Sequence, residues 1–129
     1  MRILHINKFF DLQGGAEVYM HRLMEKQREA GHEVHAFSTR SARNLPSDDS
    51  KHFVTRFDLD KRESAAKDLQ KAKNYLWNAE AKQEIEQLIA EVKPDVAHIH
   101  NLYHHLSSSV LAPLRAAKIP CVQTLHDYK

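Results

Sequence analysis

With a single cysteine, Cys121, the chain can form no internal disulfide, and its 129 residues must hold together by packing alone. Cys121 lies between Pro120 and Val122 in an apolar segment, so it reads as a buried, reduced thiol; neither a helix start nor a neighbouring charge marks it as a nucleophile. No stretch has the roughly 20 apolar residues of a membrane span, and the apolar run at residues 3–6 is far too short for a signal peptide. These absences predict a soluble, cytoplasmic chain. An excess of one charge is missing too. The 19 Lys and Arg against 17 Asp and Glu leave a formal charge of +2, so nothing calls for nucleic acid as a partner. Several site signatures are also absent: G-x-G-x-x-G, a Gly-Lys-Ser/Thr phosphate loop, a G-x-S-x-G elbow and an H-E-x-x-H pair. Glycine occurs only three times, and two of the three are adjacent, Gly14 and Gly15.

What is present fits one domain. Hydrophobic residues make up 42% of the sequence, enough for a real core at this length, and there is no internal repeat or low-complexity tract. Residues 3–6 read as a short buried strand. Ala16, Tyr19, Met20, Leu23 and Met24 then recur at helical spacing, predicting a helix over about residues 16–30 that stops at Gly31. The period-two segment 33–38 predicts a second strand, and strand, helix, strand makes a right-handed parallel crossover. Residues 39–50 read as a mobile polar loop and 52–57 as a short third strand at an edge. The span 61–93 lacks glycine and proline, yet one helix over it would be roughly 45–50 Å long, so a break is expected at residues 74–78, with Tyr75, Leu76 and Trp77 packed beside it. Ile85, Leu88, Ile89 and Val92 form an apolar stripe that must meet a sheet. After Pro94, residues 96–100 predict a strand with His98 and His100 on one face. Ser107 to Ser109 offer N-caps for a helix holding Leu111 and Leu114, and residues 119–125 predict a last strand. The fold class is therefore α/β, a Rossmann-like open parallel sheet with helices on both faces.

Ligands on such sheets bind beyond the carboxyl ends of the strands, where the strand order reverses. Three segments fall there: the Gly14-Gly15 loop, His100-Asn101 and His126-Asp127. Adjacent glycines before a helix serve either as a tight turn or as an anion cradle of free N–H groups at the positive end of the helix dipole. Ten histidines invite a metal reading, with His98, His100, His104, His105 and Asp127 as ligands, but a hydrogen-bonded strand histidine and solvated loop histidines account for them better. No metal is expected.

Asn7 with Gly14-Gly15-Ala16-Glu17, the run 93–101 (Lys-Pro-Asp-Val-Ala-His-Ile-His-Asn), Ile119-Pro120 and the run 124–129 (Thr-Leu-His-Asp-Tyr-Lys) together resemble the amino-terminal domain of glycosyltransferase family 4. The resemblance implies the amino-terminal, acceptor-side half of a GT-B enzyme, with residues 1–129 as a truncated single domain. A nucleotide-sugar would be the donor, and a carboxyl-terminal donor-binding domain would complete the site. It implies Gly14 and Gly15 near the donor diphosphate, His126 at the transferred sugar as the catalytic residue, and Glu17, His100 and Asn101 lining or bracing the cleft. No metal cofactor is implied. By this reading the chain belongs to a retaining, hexosyl-type transferase and is inactive by itself. The alternative is a non-catalytic Rossmann-like binding or interaction module. An unfinished sheet would favour a dimer through its open edge. Arg56, Lys61 and Arg62 are interleaved with Asp58 and Asp60, which leaves peripheral contact with the inner face of a membrane open.

Overall fold

The computed structural model of the protein describes residues 1–127; Tyr128 and Lys129, the end of the last motif, lie outside them. In chain order the elements are β1 (Arg2–Ile6), α1 (Gly15–Glu29), β2 (Glu33–Phe37), α2 (Ala65–Leu76), α3 (Ala79–Val92), β3 (Val96–Ile99), α4 (Leu111–Ala116) and β4 (Cys121–Gln123). Short 3₁₀ turns occupy Ser50–His52 and Ser108–Val110. The four strands form one parallel sheet in the order β2-β1-β3-β4. The chain steps from β1 outward to β2, then returns across β1 to β3, so the strand order reverses between β1 and β3. Ligands of open α/β sheets bind at such a reversal, beyond the carboxyl ends of the strands.

Period-two alternation sorts the strand residues onto two faces. Leu4, Ile6, Phe37, Ala97 and Ile99 face α3 and α4 and are buried with Ile85, Leu88, Val92 and Leu114. On the opposite face, Ala36 packs with Met20 and Met24 of α1 and with Phe10 and Phe53. Each of the larger of these side chains, the Leu, Ile, Val, Met and Phe residues, contributes roughly 1.5–3 kcal/mol when fully buried. The sheet is thus a Rossmann-like α/β layer with helices on both faces. Its helix boundaries have local causes. Gly31 sits just past α1 at φ 90°, the left-handed cap position that glycine adopts without strain. Ser64 and Asn78 cap α2 and α3 by accepting from Lys67 N–H (3.3 Å) and Ala81 N–H (3.0 Å).

The expected break in the long helical span falls at Trp77 and Asn78, but the aromatic segment does not pack beside it: Tyr75, Leu76 and Trp77 are 48%, 75% and 48% exposed. Asn78 itself makes the turn rigid. Fully buried, it donates from Nδ2 to His105 O (2.7 Å), and its backbone bonds Ser107 Oγ and Ser109 Oγ.

Three further expectations change. The strand at 52–57 reduces to one bridge, Val54 beside Thr39, because His52 is drawn into a 3₁₀ turn where its ring bonds Glu84 and Glu91 of α3. The polar loop at 39–50 is tied down rather than loose: Leu45 N–H reaches Phe10 O, and Asn44 Nδ2 reaches Thr39 O. The Asp49 carboxylate accepts from Ala36 N–H and meets the His35 ring. Cys121 is exposed rather than buried, because β4 has no outer neighbour among the described residues. On the same open edge and just past it, Val122 and Leu125 are 54% and 79% exposed.

Candidate active site

The loops after β1 and β3 are tied together by a buried latch. Asn7, one residue past β1, donates from Nδ2 to Phe9 O (2.8 Å) and to Glu17 Oε1 (3.1 Å). Its Oδ1 accepts from Asn101 N–H at 3.0 Å, and Asn101 O accepts from Lys8 N–H at 2.8 Å. One amide side chain therefore joins the loop after β1, the first turn of α1 and the loop after β3. Asn7, Glu17 and Asn101 are all buried. Asn7 thereby ties Glu17 to Asn101, with the Glu17 carboxylate in the first turn of α1 where the helix dipole favours a negative charge.

Gly14 and Gly15 form the rim. Gly14 is the N-cap residue of α1 in an extended conformation that any residue adopts, so its lack of a side chain matters for space: a Cβ there would lie 3.2 Å from Glu17 Oε2. At Gly15 a Cβ would meet nothing within 4 Å, so the backbone borders open space. The first intrahelical bond runs from Val18 N–H to Gly14 O (3.1 Å), which leaves the N–H groups of Gly15, Ala16 and Glu17 without a helical acceptor. Such an end suits an anion. The Glu17 carboxylate already sits on one side of it.

The second half of the site is a row of imidazoles on the sheet face beneath α1. His5 and His98 are register partners, and His100 follows His98 on the same face one residue beyond β3. The rings stack: His98 and His100 centroids are 4.4 Å apart, His5 and His100 5.3 Å, and His100 and His126 5.2 Å. Nitrogen contacts link them end to end. Gln27 Oε1 of α1 is 2.7 Å from His5 Nε2, His5 Nδ1 is 3.0 Å from His100 Nε2, and His100 Nδ1 is 2.9 Å from His126 Nε2. Burial pushes the pKa of His5 down to about 4, and burial with the neighbouring imidazoles pushes His100 down to about 3. His98 is lowered as well, by burial and then by His126. Its Nε2 bonds Thr124 Oγ1 at 2.7 Å. His126 is half-buried and rests its ring edge-on against Tyr19 at 5.4 Å.

His5, His98 and His100 are the described residues whose nitrogens come close enough to share an ion, within 4.8 Å of one another. Their ring planes lie within 34° of parallel, and His5 Nδ1 and His100 Nε2 already form a hydrogen bond that an ion there would have to displace. Of the histidines grouped as metal ligands from sequence, His104 and His105 lie outside this cluster. His105 is buried near Arg56 and Lys8, and burial with these cations pushes its pKa down to about 4. It lines a separate groove of about 490 Å³ with Phe9, Arg40 and Arg56.

The structure thus brings the three predicted segments to one sheet edge. The family model described as Glycosyltransferase Family 4 matches residues 13–129. The chain belongs to glycosyltransferase family 4. No curated protein matches it. Within this family 4 domain, two members of the site escape sequence reasoning. His5 shows only as one polar residue in an apolar strand, and its signal is the alternation that places it opposite Leu4 and Ile6. Gln27 carries no local signal, since its partner lies 22 residues away.

Proposed function

We propose that this family 4 domain is the acceptor-side half of a retaining, hexosyl-type glycosyltransferase that uses a nucleotide-sugar donor and requires no metal. The Gly14-Gly15 rim receives the donor diphosphate through the free N–H groups of the first turn of α1. His126 hydrogen-bonds the transferred sugar. His100 and Asn101 shape the cleft from the β3 side, and Glu17 braces it through Asn7. The nucleotide is held by a second domain facing this sheet edge, so the 129-residue chain binds donor weakly and transfers nothing by itself.

The observation that carries this reading is the meeting of an open helix N-terminus and a histidine row at the reversal point of a family 4 sheet. The chemistry is electrostatic. Preorganised N–H donors offset the charge that builds on a departing diphosphate, and removing one such group slows a reaction by about 100- to 1,000-fold.

The test is transfer or hydrolysis of nucleotide-sugars by this domain joined to a donor-binding domain of its own gene. His126→Ala should lower turnover by about 100-fold while the circular dichroism spectrum stays unchanged. No turnover with any nucleotide-sugar overturns the reading, and full turnover by His126→Ala removes His126 from it.

A further inference from the structure

A neutral imidazole has one N–H and one lone pair, so in a row of nitrogen-to-nitrogen contacts the direction of one hydrogen bond dictates the next. The row here has a definite end. With the Gln27 amide oxygen facing it at 2.7 Å, His5 Nε2 is the donor. His5 Nδ1 is then a lone pair, and at 3.0 Å His100 Nε2 must donate to it. His100 Nδ1 is in turn a lone pair, and at 2.9 Å His126 Nε2 must donate to that. Turning the row around requires moving a proton on every ring and rotating the Gln27 amide so that its NH₂ faces His5.

We propose that Gln27, His5 and His100 act as positioning residues that hold His126 in its Nε2–H tautomer, leaving the Nδ1 lone pair to accept a hydrogen bond from a hydroxyl-bearing ligand. The row is insulated for this purpose. His5 is fully buried and His100 is 1% exposed, so water cannot supply a competing donor or acceptor in the middle. Burial and the closeness of the imidazoles to one another disfavour a charged ring, which would donate in both directions and break the sequence. His98 stacks on His100 but spends its Nε2 on Thr124, outside the row. Gln27 is half-buried on α1, at the far end of the row from His126, so it can bias the site without touching a ligand.

That the accepting hydroxyl partner is a sugar rests on the transferase reading; the tautomer does not. The experiment is therefore made on the ligand-free protein. Two-bond proton–nitrogen correlation spectra of the histidine-labelled 129-residue chain at pH 8 report each ring's tautomer directly. His126 should show the Nε2–H pattern. Gln27→Lys offers His5 only a donor, so it should turn the row around and shift the His126 tautomer ratio at least about tenfold toward Nδ1–H. Gln27→Leu removes the bias and should move the ratio toward an even mixture. In a His100→Phe background, where the row is cut, neither substitution at position 27 should change His126. A His126 tautomer that stays the same in both single variants overturns the proposal, as does one that responds equally with His100 replaced. If the spectra behave as expected while the domain joined to its donor-binding domain turns over no nucleotide-sugar, the transferase reading fails and the relay stands.

Discussion

Replacing Asn7 with alanine tests whether one buried amide holds the loops after β1 and β3 together. The substitution removes three hydrogen bonds, to Phe9 O, to Glu17 Oε1 and from Asn101 N–H. They are not equal. The Phe9 carbonyl is only part-buried and can recover a water, so its loss contributes little. A hydrogen bond to a charged group contributes about 1.5–3 kcal/mol, and Glu17, at 5% exposure, has little water to replace it. The Asn101 N–H is buried and left without its acceptor, which costs about 1–3 kcal/mol. Asn7→Ala should therefore destabilise the domain by about 3–5 kcal/mol. In a urea titration followed by circular dichroism, a slope of about 1.5 kcal/mol per molar turns this into a midpoint lower by about 2–3 M. Glu17→Ala in the same background should add less than it does alone, by at least about 1 kcal/mol, since both changes remove the same contact. A loss below about 1 kcal/mol, or strict additivity with Glu17→Ala, would show that the latch does not carry the load assigned to it.

Stability should also fall as the pH drops from 7 to 5. His5 and His105 are pushed down to about 4 and His100 to about 3, all below the unfolded value of 6.5, so the unfolded chain takes up protons that the native rings refuse. For His5 alone this is worth about 2 kcal/mol between pH 7 and 5. His35 works the other way. Burial opposes its charge, but Asp49 and Glu33 bond the ring and raise its pKa, so its contribution is present at low pH and is lost as pH rises through the folded value. With His21 and His98 lowered by burial as well, five rings against one set the direction, and a urea midpoint that stays level or rises on acidification refutes it. At the helix break, Asn78→Ala removes the cap of α3 and the donor to His105 O, which should lower stability by about 2–3 kcal/mol in thermal melts. Asn78→Ser keeps an uncharged cap oxygen and should recover about 1 kcal/mol of it; an unchanged melting temperature for Asn78→Ala would show that the side chain does not fix the helix break.

The sequence by itself determined the layer order, because that information is local. A short buried run marked β1, a period-two run marked β2, the segment after Pro94 marked β3, helical spacing marked α1 and α3, and Gly31 marked the end of α1. The Gly14-Gly15 loop, His100-Asn101 and His126 were legible as one edge because parallel crossovers place all such loops at the same end of a sheet. The exposure of Cys121 was not legible, since an apolar strand reads the same whether or not a neighbour covers its edge. Nor was the loss of the strand at 52–57, which His52 gives up for bonds to Glu84 and Glu91 on a helix more than 30 residues away.

Only the tertiary structure decided what the histidines do. Register between β1 and β3 sets His5 beside His98, α1 lays Gln27 over His5, and the return of the chain after β4 brings His126 onto His100. Each contact spans between 22 and 95 residues of sequence. Hydrogen-bond direction can pass along such a row only once the rings are aligned. Composition and spacing could therefore announce an abundance of histidine, but not the one tautomer that the folded row selects.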